Sequence, residues 1–230
     1  MSDKLSSAAP FQVIAIDGPA ASGKSTVSRM LAKRIGFIYV NSGEMYRAVT
    51  WAVLKAGIDT GDSEAVWDCV KALTIDCALA TDAEGEQVST VHIDGVDPGI
   101  ELRSPEVNAN VSPVASVPAV RDLLVARQRD YAKVADIIME GRDIGSVVFP
   151  DTPFKFFVTA SEEVREARRQ AEGHSDPIAA RDKQDSTRKA SPMVVADDAV
   201  QVDTSDMQID NVVTHIESIL IDKGLKEGIR

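Results

Sequence analysis

Residues Gly18-Pro19-Ala20-Ala21-Ser22-Gly23-Lys24-Ser25-Thr26 follow the apolar run Val13–Ile16 and open an amphipathic segment that reaches Ile35. Two glycines five positions apart, then Lys-Ser, between a strand and a helix, form a P-loop. Each residue type answers a demand made by a polyphosphate. The glycines let the backbone turn so that successive N–H groups point inward at phosphate oxygens. The helix that follows adds the positive end of its dipole. Lys24 brings a mobile charge to the β and γ phosphates, and the Ser25 hydroxyl is placed to ligate Mg2+. A glycine loop that merely joined strand to helix would need none of this. The chain is therefore expected to bind ATP through residues 18–26, with Lys24 acting on the transferred phosphate.

The motif restricts the fold to an α/β class with a parallel sheet. Short apolar runs at Val13–Ile16, Phe37–Val40, Ile137–Met139, Phe154–Val158 and Val200–Val202 alternate with helical periods, which implies crossover connections. We expect a P-loop NTPase-like, three-layer α/β/α domain around a five-stranded parallel core sheet. The phrases after these strands should converge on one cleft at the carboxyl ends. Between residues 61 and 116 the pattern changes. Two strand-like runs, Thr74–Leu79 and Val88–Ile93, flank the turn-like Asp82-Ala83-Glu84-Gly85, a hairpin inside an α/β chain. This segment reads as an inserted subdomain over the cleft, with the core at 11–60 and 117–230. Residues 170–180 break a charged helix and read as a short lid. Residues 1–10 read as a disordered lead-in lacking the apolar centre of a signal peptide.

Composition excludes several classes. A net charge of −11 over 230 residues argues against nucleic-acid partners, because neutralising a phosphate backbone needs a basic field. No run approaches the ~20 apolar residues of a membrane span. Cys69 and Cys77 lack neighbours at metal-ligand spacing and are expected as reduced thiols. His92, His174 and His215 stand alone and suggest no catalytic pair. These features point to a cytoplasmic protein without nucleic-acid or membrane partners, expected to act as a monomer.

A P-loop alone leaves GTPases, ATPases, transporters and kinases open. The arginines decide between them. Asn41 can cap the helix after the second strand, with Glu44 in capping-box position and Ser42 and Arg47 beside it. Gly141-Arg142-Asp143 sets a cation beside a carboxylate after the third strand, and taken alone it could be a surface ion pair. Arg181, Asp185 and Arg188 are spaced four and three residues apart, so they share one helix face. Arg165, Arg168 and Arg169 lie just upstream. So many arginines in an acidic chain ask for a local anion. Transfer between a triphosphate and a monophosphate supplies that demand, since two anions brought together must be screened by fixed cations. The acceptor phosphate is itself a nucleophile at neutral pH, and no general base is needed.

With these motifs in order, the chain resembles the bacterial-type cytidylate kinases of the nucleoside monophosphate kinase group. The resemblance runs from Ile14-Ala15-Ile16-Asp17-Gly18-Pro19 to Asp198–Ser205. It is carried by Asp-Gly-Pro, by Ser-Gly-x-x-Tyr-Arg at 42–47, by Gly-Arg-Asp-Ile-Gly at 141–145 and by Arg-Asp-x-x-Asp-Ser-x-Arg at 181–188. It implies ATP-dependent phosphorylation of CMP and dCMP, with 61–116 as the monophosphate-binding subdomain. By similarity, Ser42, Arg47, Arg142 and Arg188 would engage the acceptor phosphate, Arg181 and Asp185 the sugar hydroxyls, and Arg168 the transferred group. Ser112, Arg121 and Asp143 match the positions that read cytosine. That set is chemically complementary, with a carboxylate for the exocyclic amine and donors for N3 and O2. On the residues alone, Ser112 could equally cap a helix and Arg121 could lie on a solvated face. Two departures stand out. Asn41 occupies a place where the family often carries aspartate, and the stretch from Arg168 to Arg181 is short. A kinase for UMP, dTMP or another small acceptor, and a catalytically weak nucleotide-binding regulator, are the rival readings.

Overall fold

A computed structural model describes residues 11–81, 85, 87–171, 182, 185–187 and 191–226. The chain begins with β1 (Val13–Asp17), whose five residues are all buried, and passes through the P-loop into α1 (Lys24–Ile35). Along β1 the side chains alternate between two cores. Val13 and Ala15 belong to one apolar cluster, Ile14 and Ile16 to the other, as the two-residue period of a strand with both faces covered requires. Gly36 ends α1 with φ 75°, its N–H donating to Ala32 O, a left-handed cap that suits glycine.

Then come β2 (Ile38–Asn41), α2 (Ser42–Lys55), α3 (Ser63–Val70), β3 (Ile75–Thr81) and β4 (Gln87–Ile93). A 3-10 turn (Gly99–Arg103) leads to α4 (Pro105–Ala115), α5 (Pro118–Tyr131) and β5 (Ile137–Gly141). A π-helical turn (Ile144–Val148) precedes β6 (Phe154–Thr159), α6 (Glu162–Ala171), β7 (Val200–Asp203) and α7 (Ile209–Asp222).

The strands lie in the order β3-β4-β2-β5-β1-β6-β7. The five expected core strands all run parallel, with β1 between β5 and β6. The hairpin departs from expectation. Instead of sitting over the cleft, it extends the same sheet. β4 joins β2 in parallel at Tyr39↔Val88, and β3 runs antiparallel outside it. Ile75, Val91 and Ile93 thereby enter the same cluster as Val66 of α3, Val114 of α4 and Leu124 of α5. From residues 61–116 it is the 3-10 turn and α4 that reach the cleft. Helices α1 and α7 cover the other face through Val27, Leu31, Val212 and Ile216, giving three layers. Cys69 and Cys77 are free thiols. Among the described residues no helix is long and apolar enough to cross a membrane.

The P-loop starts at a close approach to β6. A Cβ on Gly18 would lie 2.0 Å from the carbonyl oxygen of Val158 on β6, and backbone cannot yield as a side chain can. Gly18→Ala is expected to destabilise the fold by about 3 kcal/mol or more, measured as a lower denaturant midpoint with unchanged slope.

Candidate active site

The carboxyl ends of β1, β2, β5 and β7 open into one cleft of about 800 Å³. The P-loop forms one wall, with Ala21 at φ 56° and Gly23 at φ 87° turning the backbone into α1. Lys24 is buried and its Nζ donates to Pro19 O at 2.8 Å across the loop. Ser25, at the helix start, donates from Oγ to Glu140 Oε2 at 2.8 Å. The other oxygen of Glu140 accepts from the Tyr39 hydroxyl at 2.5 Å. The guanidinium of Arg29 stacks over the Tyr39 ring, 4.7 Å from its centroid. Burial, with the Glu140 charge beside it, pushes the Tyr39 phenol far above its ordinary value, so it remains a donor.

The opposite wall carries the expected acceptor residues. Asn41 caps α2, accepting from Gly43 N at 3.0 Å, and Ser42 Oγ donates to Glu140 O at 2.7 Å. A Cβ on Gly141 would come within 2.6 Å of that Ser42 hydroxyl, so glycine permits the approach. Arg47 donates to Leu102 O at 3.0 Å and to Asn108 Oδ1 at 2.6 Å, which ties it to the 3-10 turn and α4. Burial raises the pKa of the Glu44 carboxyl, and the neighbouring Arg103 guanidinium, 3.4 Å away, partly opposes this.

The neighbours Arg142 and Asp143 do not pair with each other. Arg142 Nε donates to Asp185 Oδ2 at 2.9 Å, while Asp143 pairs with Arg121. A surface ion pair is thereby excluded, since Arg121 is 2% and Asp143 4% exposed. Arg121 also donates to Ala115 O at 3.2 Å and lies 5.2 Å from the Tyr46 ring centroid. Among the described residues its buried Nε–H has no acceptor. Ser112, on α4, lines the same cleft.

At the third side, Arg168 donates to Thr204 Oγ1 at 3.0 Å and to Thr204 O at 2.9 Å. Thr204 Oγ1 donates in turn to Ser22 O of the P-loop at 3.0 Å. Arg165 pairs with Asp182, whose other oxygen accepts from Ala20 N at 3.1 Å. Lys24, Ser25, Ser42, Arg47, Ser112, Arg121, Arg142, Asp143, Arg168 and Asp185 therefore meet in one cleft. Arg181, Arg188 and nearly all of the expected lid lie outside the described residues.

Three residues of this site receive no role from the sequence. Asp17 and Glu140 stand there only in the polar phrases after the first and third strands, Asp17 also in the Asp-Gly-Pro motif, and Tyr39 reads as core. A charged residue closing a buried parallel strand was the available cue. Asp17 is 5% exposed and accepts from the backbone amides of Ile144 at 2.8 Å and Gly145 at 2.7 Å. Burial raises its pKa to about 6, with Asp143 adding to the rise, while the two amides and Lys24 pull it down.

A P-loop facing a second arginine cluster across one cleft, on this strand order, defines a phosphotransferase of the P-loop kinase class. The family is specific. A family profile described as Cytidylate kinase matches residues 14–221, and the chain belongs to the cytidylate kinase family. It is 43% identical over 219 residues to a cytidylate kinase of Limosilactobacillus reuteri, covering 90% of this chain and 94% of that one. It is 47% identical over 213 residues to one of Rhodococcus opacus, covering 87% and 91%. Among solved structures, a gluconokinase from Sinorhizobium meliloti overlaps at TM-score 0.49 and 13% identity over 93% of both chains.

Asp17 binds a proton more readily in the fold than its ordinary value of 3.8 allows in the unfolded chain. The native state therefore holds more protons between those values, and the group's stabilising contribution is full below about 3.8 and lost as pH rises through about 6. The melting-temperature difference, wild type minus Asp17→Asn, is expected to fall between pH 4 and pH 7. A flat difference would refute the raised pKa.

Proposed function

We propose that this protein transfers the γ-phosphoryl group of ATP to the 5′-phosphate of CMP and dCMP, as a cytoplasmic monomer. The observation that carries the reading is the buried Arg121–Asp143 pair beside Ser112, in the same cleft as the P-loop. A carboxylate suits the exocyclic amine of cytosine, and the Arg121 Nε–H is a spare donor for the ring acceptors. Uracil would set a carbonyl against Asp143, a mismatch of about 1–3 kcal/mol.

The loop amides, Lys24 and the start of α1 hold the triphosphate. An oxygen of the CMP phosphate attacks the γ-phosphorus in line. A new P–O bond forms as the bond to the β-phosphate oxygen breaks, and ADP leaves with that electron pair. Arg47 and Ser42 hold the acceptor, and Arg142, Arg168 and Arg188 neutralise charge on the transferred group. Arg181 and Asp185 take the sugar hydroxyls. The hydroxyl of Ser25 and the carboxylate of Glu140, 2.8 Å apart, are hard oxygen donors of the type Mg2+ takes beside substrate phosphates. When bound, the ion screens the phosphate charge.

Ordinary P-loop hydrolysis predicts ADP release without an acceptor, whereas this reading requires CMP. Release should rise strongly on adding CMP, and transfer to CMP should exceed transfer to UMP and dTMP. A preference for UMP would overturn the role given to Asp143. Arg142→Met is expected to lower kcat by about a hundredfold or more, with the Kd of ATP unchanged in equilibrium titration. Asp143→Asn, which offers an amide N–H₂ to the uracil carbonyl, is expected to shrink the CMP-to-UMP ratio of kcat/KM by about tenfold.

A further inference from the structure

Tyr39 is a tyrosine where the sheet asks only for an apolar residue. Its ring fills the cluster formed by Val27, Leu31, Ile138 and Phe156, and it is 4% exposed. The hydroxyl is spent elsewhere. Tyr39 stands in register with Ile138 on β5, and residues 138 and 140 project from the same face of that strand. Two residues along a strand span about 6.5 Å, which the length of a phenol bridges. The hydroxyl thus meets Glu140 Oε1 at 2.5 Å, while Glu140 Oε2 receives Ser25 Oγ at 2.8 Å. The carboxylate is held at both oxygens, once by the core and once by the P-loop. Arg29 lies over the ring face and fixes the ring from the cleft side.

From this geometry we infer that Tyr39 is a positioning residue, orienting the Glu140 carboxylate so that it and Ser25 present a shared oxygen site to a divalent cation on the triphosphate. The inference rests on the Mg-ATP reading above. Removing the hydroxyl leaves Glu140 Oε1 without this donor, and the carboxylate is then free to rotate away from Ser25. Groups that orient ligands in this way set metal affinity, typically by tenfold or more.

The test needs no catalysis. The Kd of ATP is measured by calorimetric titration of the full-length protein without CMP, once in EDTA and once in saturating Mg2+, and the ratio of the two reports metal coupling. Tyr39→Phe keeps the ring in the core. It is expected to lower the ratio about tenfold and to leave the metal-free Kd unchanged. Glu140→Gln should lower the ratio as well, and the double variant should fall no further than Glu140→Gln alone. A Tyr39→Phe protein that melts earlier but keeps the wild-type ratio overturns the inference, as does a further fall in the double variant. A wild-type ratio near one would instead remove the metal from the proposed function, and this inference with it. Such a result is distinguishable because it appears before any variant is made.

Discussion

The carboxylate of Asp17 is the contact on which the site's geometry depends. It ends the central strand and accepts from two consecutive amides, Ile144 and Gly145, in the turn directly after Arg142-Asp143. The P-loop leaves β1 one residue later. A single side chain therefore fixes the distance between the P-loop and the loop that carries Arg142 and Asp143. Burying a carboxylate is unfavourable, and its raised pKa records this. Two backbone donors and the nearby Lys24 offset the cost, and a buried site in turn excludes the water that would loosen it. Gly145 belongs to the same constraint. A Cβ there would lie 3.2 Å from Lys155 and 3.4 Å from Asp17, tight enough to disturb the clamp.

Around that clamp the charges are cross-wired. Arg142 pairs with Asp185 and Asp143 with Arg121, so neighbouring residues of one loop are tied to two different parts of the fold. Each of these cations is oriented before any anion arrives. Arg121, sealed under Tyr46 and Ala115, has almost no freedom left to lose. A cluster of free arginines would repel itself and would spend binding energy on ordering side chains. Pre-paired arginines avoid both costs, because each guanidinium is already held by a carboxylate.

The parallel core and the P-loop were legible because their signals are local. Alternating apolar runs fix strands, and the glycine spacing fixes the turn. Strand order was not legible, and it decides what the hairpin does. Nothing in Thr74–Ile93 says that β4 will find β2 rather than fold back over the cleft. A single bridge at Tyr39↔Val88 makes the difference. The arginines could be found because a surplus of cations in an acidic chain needs an explanation. Asp17, Tyr39 and Glu140 could not be found in that way. A buried tyrosine in a strand looks like core, and its polar end matters only once β2 and β5 are known to be neighbours in register. Asp143 shows the opposite limit. The Arg-Asp dipeptide suggests an ion pair, yet the strand's end turns the two side chains toward separate partners.

The acceptor wall differs from the donor wall in how it is held. The P-loop leaves Asp17, which is clamped to the turn after β5, and is tied by Thr204 to the end of β7 and by the Ala20 amide to Asp182. Arg47, by contrast, is anchored to Leu102 O and Asn108 Oδ1, on the segment that also carries Ser112. That segment meets the rest of the domain through α2 and through the apolar contacts of Val107, Val111 and Val114. Directional contacts fix its register on α2 as well: Trp51 Nε1 donates to Glu101 Oε2 at 2.7 Å and Arg103 pairs with Glu44 at 3.4 Å. Arg47 itself sits on α2, so its guanidinium ties the 3-10 turn and α4 to that helix rather than moving with them. Arg121 and Asp143 face Ser112 as a pair locked into the core. On the proposed assignment, cytosine would be read between two separately anchored walls, the core pair on one side and α4 on the other. Its alignment would then depend on the contacts that hold α4 against α2 as much as on the buried ion pair.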